Sequence, residues 1–160
     1  MIYLDTTILV TFAFAKHAAP QRHRQAAELI ARISTGTVQA VTSFYALHEL
    51  FVFAIRNLAP DTAAGSELGK QGLVEILQTK VKVLPMLTRQ ERTLNQHIFR
   101  AFKDSSDVSH AISAHLAGCQ ALVSFDAHFK SLPPDLPWKT PDEILALPAQ
   151  NQVPGQAPKR

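Results

Sequence analysis

The sequence predicts an α/β fold in which helices cover a parallel sheet. Apolar runs of strand length alternate with longer segments whose apolar residues recur at helical spacing, and this alternation is typical of βα units. With 160 residues, the chain is long enough to bury a substantial core. We expect one domain over residues 1–147. The predicted strands cover residues 1–4, 38–42, 81–84 and 121–124.

The segments between these strands carry the signals of helices and their ends. Gly36 and Gly118 stand just past two predicted helices, where helices commonly stop, and Thr140 is a suitable cap for the last one. The final stretch, residues 148–160, has three prolines and few apolar residues, which predicts a disordered tail. The predicted helices cover residues 21–34, 44–56, 62–78, 88–102, 107–117 and 141–147.

Composition excludes several classes of protein. With 46% hydrophobic and 18% charged residues, the chain is neither disordered nor membrane-like. A signal peptide has Lys or Arg ahead of its apolar run, but none precedes the apolar run over residues 6–15. We therefore expect a cytoplasmic protein. Cys119 is the only cysteine, which excludes an internal disulfide and a cysteine-built zinc site. The net charge of +3 includes Lys159 and Arg160 at the end of the sequence, so it is weak evidence for a nucleic-acid partner.

Asp5 follows the first predicted strand directly and does not belong in an apolar core. One interpretation is that it caps a helix beginning near Thr7. The other is that it contributes to a binding site, because open α/β sheets bind ligands just beyond the carboxyl ends of their strands. Asp126 repeats this arrangement after the strand over residues 121–124.

Two further acids lie on predicted helices. Glu49 has large apolar neighbours one turn away, such as Tyr45 and Phe53, and an unpaired carboxylate there would cost several kcal/mol. It therefore needs a partner, a cation or water. Asp107 opens the next alanine-rich helix, where it either favours the helix dipole or belongs to a site, and Asp104 competes with it for the capping role.

Parallel βα units bring the carboxyl ends of their strands to one edge of the sheet, so we expect these acids to converge. Clustered carboxylates repel one another unless cations neutralise them. Mg²⁺ or Mn²⁺ suits an oxygen-rich site, because neither Cys nor paired His is available to favour zinc. Such a metal centre activates water and binds phosphate oxygens.

The ordered set of motifs resembles the PIN domains, and within them the VapC-like toxins of toxin–antitoxin pairs. The resemblance covers nearly all of residues 1–147 and rests on IYLDTTILV, the glutamate of ALHELF, DVSHAISAHLAG and LVSFDAHF. It implies a three-layer α/β/α sandwich with a central, mostly parallel sheet, and metal-dependent cleavage of RNA. It also implies a homodimer, an antitoxin partner, and products with a 5′-phosphate and a 3′-hydroxyl.

The resemblance assigns candidate catalytic and metal-binding residues by position. Thr7 falls where the family often has Asn or Ser, and Ser124 where it often has Thr; both keep a hydroxyl that can orient a carboxylate or water. Asp104 in place of Asp107 remains an alternative assignment. The family's acidic quartet falls on Asp5, Glu49, Asp107 and Asp126.

The predicted helix over residues 88–102 has a basic side opposite Leu94 and Ile98, and this side leads towards Asp107. It is either a solvated face or a track for RNA phosphates. We interpret His110, one turn after Asp107, as a helix-surface residue outside the metal site. The basic stripe consists of Arg89, Arg92, Gln96, Arg100 and Lys103.

We therefore expect a PIN-domain endoribonuclease that uses one or two Mg²⁺ or Mn²⁺ ions. Two alternatives remain. A PIN fold can serve as an RNA-binding or protein-binding module with little catalysis, although the intact acidic set argues against this. Another Mg²⁺-dependent phosphohydrolase is the second alternative, but that class usually has a DxD motif, whereas Asp5 is followed by Thr6 and Thr7.

Overall fold

The computed structural model describes residues 1–100, 102 and 105–147, and in this part of the chain five strands form a single sheet. The strands are β1 (Ile2–Leu4), β2 (Ala40–Ser43), β3 (Lys82–Leu84), β4 (Leu122–Val123) and β5 (Trp138–Lys139). All neighbouring pairs are parallel, in the order β3-β2-β1-β4-β5. The predicted parallel sheet and its four predicted strands are thus confirmed. The sequence did not predict β5, because two residues at a sheet edge make no apolar run.

The described residues contain seven α-helices. Six of them correspond to the predicted helices, with shifts of a few residues at most ends. The predicted tail over residues 148–160 lies outside the described residues, as do Lys103 and Asp104. The helices are α1 (Thr6–Phe14), α2 (Pro20–Ser34), α3 (Phe44–Asn57), α4 (Thr62–Leu77), α5 (Arg89–Asn95), α6 (Ser105–Leu116) and α7 (Pro141–Leu145).

Helix α1 is the element for which the sequence pattern was least informative. Its sequence, TTILVTFAF, is apolar nearly throughout and so lacks the one-sided periodicity of a surface helix. The reason is its position: α1 packs against α2, α3 and α4, and Ile8 and Leu9 are fully buried. Such a helix is recognised by its cap rather than by its period.

The prediction of one continuous helix over residues 88–102 is wrong. Helix α5 ends at Asn95 and a 3₁₀ segment, Gln96–Phe99, follows it. Because a 3₁₀ segment has three residues per turn, the residues after Asn95 point in other directions than an α-helix would give them. The expected apolar side is exposed, with Leu94 at 60%, whereas Phe99 is buried at 1% exposure.

Two hydrophobic cores lie on opposite faces of the sheet, as alternation along the strands requires. Ile2 and Leu4 of β1 enter the core beneath α1, α2 and α3, and Tyr3 between them enters the core beneath α6. Helices therefore cover both faces, which confirms the three-layer α/β/α sandwich. No helix in the described part of the chain is long and apolar enough to cross a membrane.

Helix α4 holds α3 in place through a close approach of two backbones. Gly65 is buried against α3, and a Cβ atom there would lie 2.7 Å from the Cα of Ile55. A Cβ atom at Gly69 would lie 2.6 Å from the ring of Phe51. Because α3 carries Glu49, this packing helps to position one of the candidate site residues.

We expect Gly65→Ala to lower the free energy of unfolding by about 1–3 kcal/mol, because the added methyl group meets main-chain atoms. Denaturant unfolding measures this. Ala64→Gly, at the exposed neighbouring position, is the control. It measures the helix propensity of this turn without a close contact, and propensity by itself favours alanine over glycine by about 1 kcal/mol. A Gly65→Ala variant as stable as the parent, or more so, would show that the helices are not in close contact.

Candidate active site

Asp5 lies at the carboxyl end of β1 and is the N-cap of α1. Its Oδ2 atom accepts hydrogen bonds from the Thr7 amide at 3.1 Å, the Thr7 hydroxyl at 2.8 Å and the Ser124 hydroxyl at 2.7 Å. The carboxylate is almost fully buried, at 3% exposure for the residue. The capping interpretation of Asp5 is therefore confirmed, and the three donors also hold its carboxylate in a fixed orientation.

The hydroxyls of Thr7 and Ser124 join the ends of β1 and β4. They lie 3.0 Å from each other, and the amides of Phe125 and Asp126 donate to Thr7 Oγ1 and Ser124 Oγ at 3.0 and 2.9 Å. The turn that carries Asp126 is thus bound to the turn that carries Asp5.

Asp126 is the cap of a 3₁₀ segment, Ala127–Ser131, and is more exposed than Asp5. Its Oδ1 atom accepts a hydrogen bond from the His128 amide at 2.9 Å and lies 3.2 Å from His128 Nδ1. Asp126 is therefore partly exposed to solvent at this edge of the sheet, whereas Asp5 is buried there.

Glu49 has the partners that its apolar surroundings require. Its Oε2 atom accepts hydrogen bonds from the Thr6 hydroxyl and from His110 Nε2, the latter at 2.9 Å. Burial raises the pKa of Glu49, but the hydrogen bonds from His110 and Thr6 lower it more, so that it lies below its usual value. Glu49 is consequently ionised at neutral pH.

The interpretation of His110 as a surface residue is wrong. Its side chain is 2% exposed and lies between two acids, with Nε2 at 2.9 Å from Glu49 Oε2 and 3.6 Å from Asp5 Oδ1. The reason is that α6 packs directly onto the sheet, so that the side chain one turn after Asp107 points inward. Spacing along α6 alone does not reveal which side of the helix is covered.

The electrostatics of the site follow from this burial. Burial lowers the pKa of His110, but the hydrogen bond to Glu49 and the charges of Asp5, Glu49 and Asp107 raise it more, so that it lies above its usual value. Burial is the main cause that raises the pKa of Tyr3 beyond its usual range, so its phenol keeps its proton. Asp107, in the first turn of α6, is thus close enough for its charge to act on His110.

The structure links the four predicted acids in different ways. Asp5 and Glu49 face the same imidazole, Asp126 is joined to Asp5 through Ser124, and Asp107 lies one turn before His110. Across residues 1–100, 102 and 105–147, no three His, Cys, Asp or Glu side chains are grouped tightly enough to hold a metal ion.

The donor set at this edge nevertheless fits a hard divalent cation. All four acids offer carboxylate oxygens, and the only cysteine, Cys119, is a buried residue of the core beneath α6. A positively polarised group, the Nε2–H of His110, already lies between the Asp5 and Glu49 carboxylates. The two carboxylates thus already present oxygen atoms to a positively polarised partner at this edge.

Part of the predicted basic stripe lines one cavity beside α6. Arg92, Gln96 and Arg100 surround a volume of about 440 Å³, together with Ser105 at the start of that helix. Arg92 Nη2 also donates to the Ser105 carbonyl at 3.4 Å. Arg89 does not line this cavity. The other three members line it together, even though α5 ends at Asn95 between Arg92 and Gln96.

Sequence reasoning missed three further residues at this edge. Arg22 of α2 lies over the ring of Phe125, the residue before Asp126, at 5.5 Å from the ring centroid. Tyr3 and Ser43 bind to each other, and Tyr3 also binds to His110. Tyr3 and Ser43 could have been identified in the sequence, because each places a hydroxyl group within a buried strand. Nothing in the sequence distinguished Arg22.

Comparison with known proteins places this geometry in a family. The PIN domain family model matches residues 2–133, so the chain belongs to the PIN domain family. No individually curated protein is similar enough in sequence to be matched.

Two solved structures share the fold at low sequence identity. VapC20 of Mycobacterium tuberculosis, described as a sarcin-ricin loop cleaving toxin, is 20% identical with a TM-score of 0.63, over 84% of this chain and 98% of that chain. VapBC2 of Rickettsia felis, bound to a DNA fragment from its promoter, is 18% identical with a TM-score of 0.61, over 88% of this chain and 98% of that chain.

We expect Ser124→Ala to lower the free energy of unfolding by about 1–3 kcal/mol, because it removes a donor from a buried carboxylate and an acceptor from the Asp126 amide. Urea unfolding of the metal-free protein checks this. Ser131→Ala, at an exposed serine of the following 3₁₀ segment, is the control and should cost less than about 0.5 kcal/mol. Equal effects of both substitutions would contradict the role given to Ser124.

Proposed function

We propose that this chain is a metal-dependent endoribonuclease and the toxin of a type II toxin–antitoxin pair. The observation that supports this most directly is the pair of carboxylates, Asp5 and Glu49, that face one buried imidazole at the carboxyl edge of a PIN-domain sheet. Binding sites of open α/β sheets form at this edge. A cytoplasmic location and a homodimer are part of the same proposal.

Asp5, Asp107 and Asp126 would hold Mg²⁺ or Mn²⁺, with Glu49 as a ligand or as a support for one. When bound, such a cation lowers the pKa of water and neutralises charge on a phosphate. The chain itself contributes the orientation of its carboxylates: Thr7 and Ser124 fix Asp5 through Oδ2. Thr6 and His110 fix Glu49 in the same way. These donors hold the Asp5 and Glu49 carboxylates in place before substrate binds.

RNA is the proposed substrate, and a structured RNA is the first to test, because VapC20 is described as cleaving the sarcin-ricin loop. The cavity lined by Arg92 and Arg100 opens beside α6, whose first turn carries Asp107. Guanidinium groups suit phosphate oxygens because they donate two parallel hydrogen bonds. We propose this cavity, together with Arg89, as a path for the RNA backbone; the predicted contribution of Lys103 falls outside the described residues.

An antitoxin protein is the proposed partner. The support is the VapBC2 structure, in which a VapBC pair is bound to a DNA fragment from its own promoter. A small neighbouring gene that encodes a DNA-binding protein would agree with this proposal, and its product should bind this chain and suppress its activity.

Asp5→Asn tests the metal site. Asn and Asp cap helices about equally well, so the free energy of unfolding without metal should change by less than about 1 kcal/mol. Cleavage of a structured RNA with Mn²⁺ should fall by at least about 100-fold, because a negative ligand is removed. A gel-based cleavage assay with and without EDTA, beside thermal melts, measures both effects.

The outcomes that would contradict the metal-site proposal are distinct. An Asp5→Asn variant that cleaves RNA at the parental rate would remove Asp5 from the chemistry and leave it as a helix cap only. A parent protein whose cleavage survives EDTA would exclude the dependence on a divalent cation. A parent that binds RNA without cutting it would favour a PIN-fold binding module instead.

A charge reversal tests the basic cavity. Replacing Arg92 and Arg100 by Glu should weaken RNA binding and lower the slope of log K against log salt by about one for each phosphate that is no longer bound. Replacing Lys80 and Lys82 by Glu is the matched control, because these exposed lysines lie beside the amino end of the sheet and the charge change is identical. Equal decreases in both variants would mean that only net charge matters.

A further inference from the structure

We propose that His110 is a positioning residue that fixes the carboxylate of Glu49 for the metal site, and that Tyr3 and Ser43 fix His110 in turn. This inference rests on the function proposed above. It assigns a role to a buried histidine that the acidic quartet does not include, and it makes the geometry of Glu49 depend on three elements of the fold.

The ring of His110 is held at both nitrogens. Nε2 lies 2.9 Å from Glu49 Oε2, and Nδ1 lies 2.8 Å from the Tyr3 hydroxyl. An ionised carboxylate only accepts hydrogen bonds, so Nε2 carries the hydrogen that points at Glu49. The presence of a hydrogen on Nε2 and the orientation of the ring are therefore both determined by its neighbours.

The hydrogen bonds form a closed circuit that begins and ends on α3. The Tyr3 hydroxyl lies 2.7 Å from Ser43 Oγ, and Ser43 caps α3 by accepting from the Ala46 amide at 3.2 Å. From Ser43 the circuit passes to Tyr3 on β1, to His110 on α6, and returns to Glu49 on α3. A displacement of any one element would thus break a bond to another.

Aromatic rings leave the imidazole little freedom to turn. The ring centroids of Tyr3, Tyr45 and Phe129 lie 5.9, 5.4 and 6.5 Å from that of His110. Tyr45 also forms a hydrogen bond with Glu49, which lowers the pKa of that carboxylate. The histidine is consequently a rigid donor rather than a mobile one, and rigid outer partners are what orient metal-binding carboxylates.

The alternative is that His110 binds the metal directly. The two roles make different predictions when Glu49 is removed. A residue that acts through Glu49 has nothing left to position in a Glu49→Gln background, whereas a direct ligand would still contribute there. Non-additivity between positions 49 and 110 is therefore the decisive quantity.

The experiment measures Mn²⁺ affinity by isothermal titration calorimetry, with RNA cleavage as a second readout. His110→Leu removes the donor and should weaken Mn²⁺ binding by about 10–100-fold. His110→Gln keeps an N–H donor at a similar reach and should retain most of the affinity. In the Glu49→Gln background, His110→Leu should change the affinity by less than about twofold. His48→Leu, at the exposed neighbour of Glu49 on the same helix, should match the parent.

Tyr3→Phe keeps the proposal testable if His110→Leu does not fold, which thermal melts in EDTA would reveal. It removes only the hydroxyl that holds Nδ1, and it should weaken Mn²⁺ binding in the same direction and to a smaller extent. In the Glu49→Gln background, Tyr3→Phe should change the Mn²⁺ affinity by less than about twofold, as His110→Leu should.

The outcomes separate this inference from the function on which it rests. A parent that binds no Mn²⁺ and cuts no RNA would overturn the proposed function and this inference together. A parent that binds Mn²⁺, with folded His110→Leu and Tyr3→Phe variants that bind it equally well, would overturn the positioning role alone. Additive decreases in the double variant would also overturn it, and would assign His110 as a direct ligand.

Discussion

The parallel pairing of β1 with β2 and β4 is the constraint on which the rest of the site depends. In this register Leu4 lies opposite Val123 and Tyr3 lies opposite Val41. The next residue after Leu4 is Asp5, which therefore meets Ser124 at the end of β4. One slip of register would turn these side chains to the other face of the sheet. The carboxyl edge is thus defined by backbone hydrogen bonds before any side chain of the site contributes.

Burying acids at this edge requires donors, and short hydroxyl side chains supply most of them. Thr6 donates to Glu49, and Thr7 and Ser124 donate to Asp5, each from a position one or two residues from an acid or a strand end. Within the described residues, no buried side-chain nitrogen or oxygen lacks a hydrogen-bond partner. The cost of burying unpaired polar groups is therefore avoided, and the carboxylates are held in a fixed orientation.

β1 also shows how one short strand serves both packing and chemistry. Ile2 and Leu4 belong to one core, whereas Tyr3 extends into the other core and brings its hydroxyl to His110. Core positions tolerate exchange among apolar residues of similar size, provided that their pattern is kept. This tolerance is consistent with a shared fold at only 18–20% identity to the VapC20 and VapBC2 structures. The few polar groups at the edge are less exchangeable, because each has a specific partner.

The sequence by itself determined the parallel sheet, most helices and the placement of acids directly after β1 and β4. These features depend on apolar runs and on the residues that end strands and helices, which are local patterns. For α1 the sequence offered only a cap, Asp5, and no helical period, whereas tertiary structure alone decided the break after Asn95 and the burial of His110. The partners of that histidine, Tyr3 and Glu49, are 107 and 61 residues away in the chain. No local period encodes such contacts, since they arise only when α6 packs on the sheet. The physical reason is that burial, which decides what a polar side chain must bind, is a property of the packed fold.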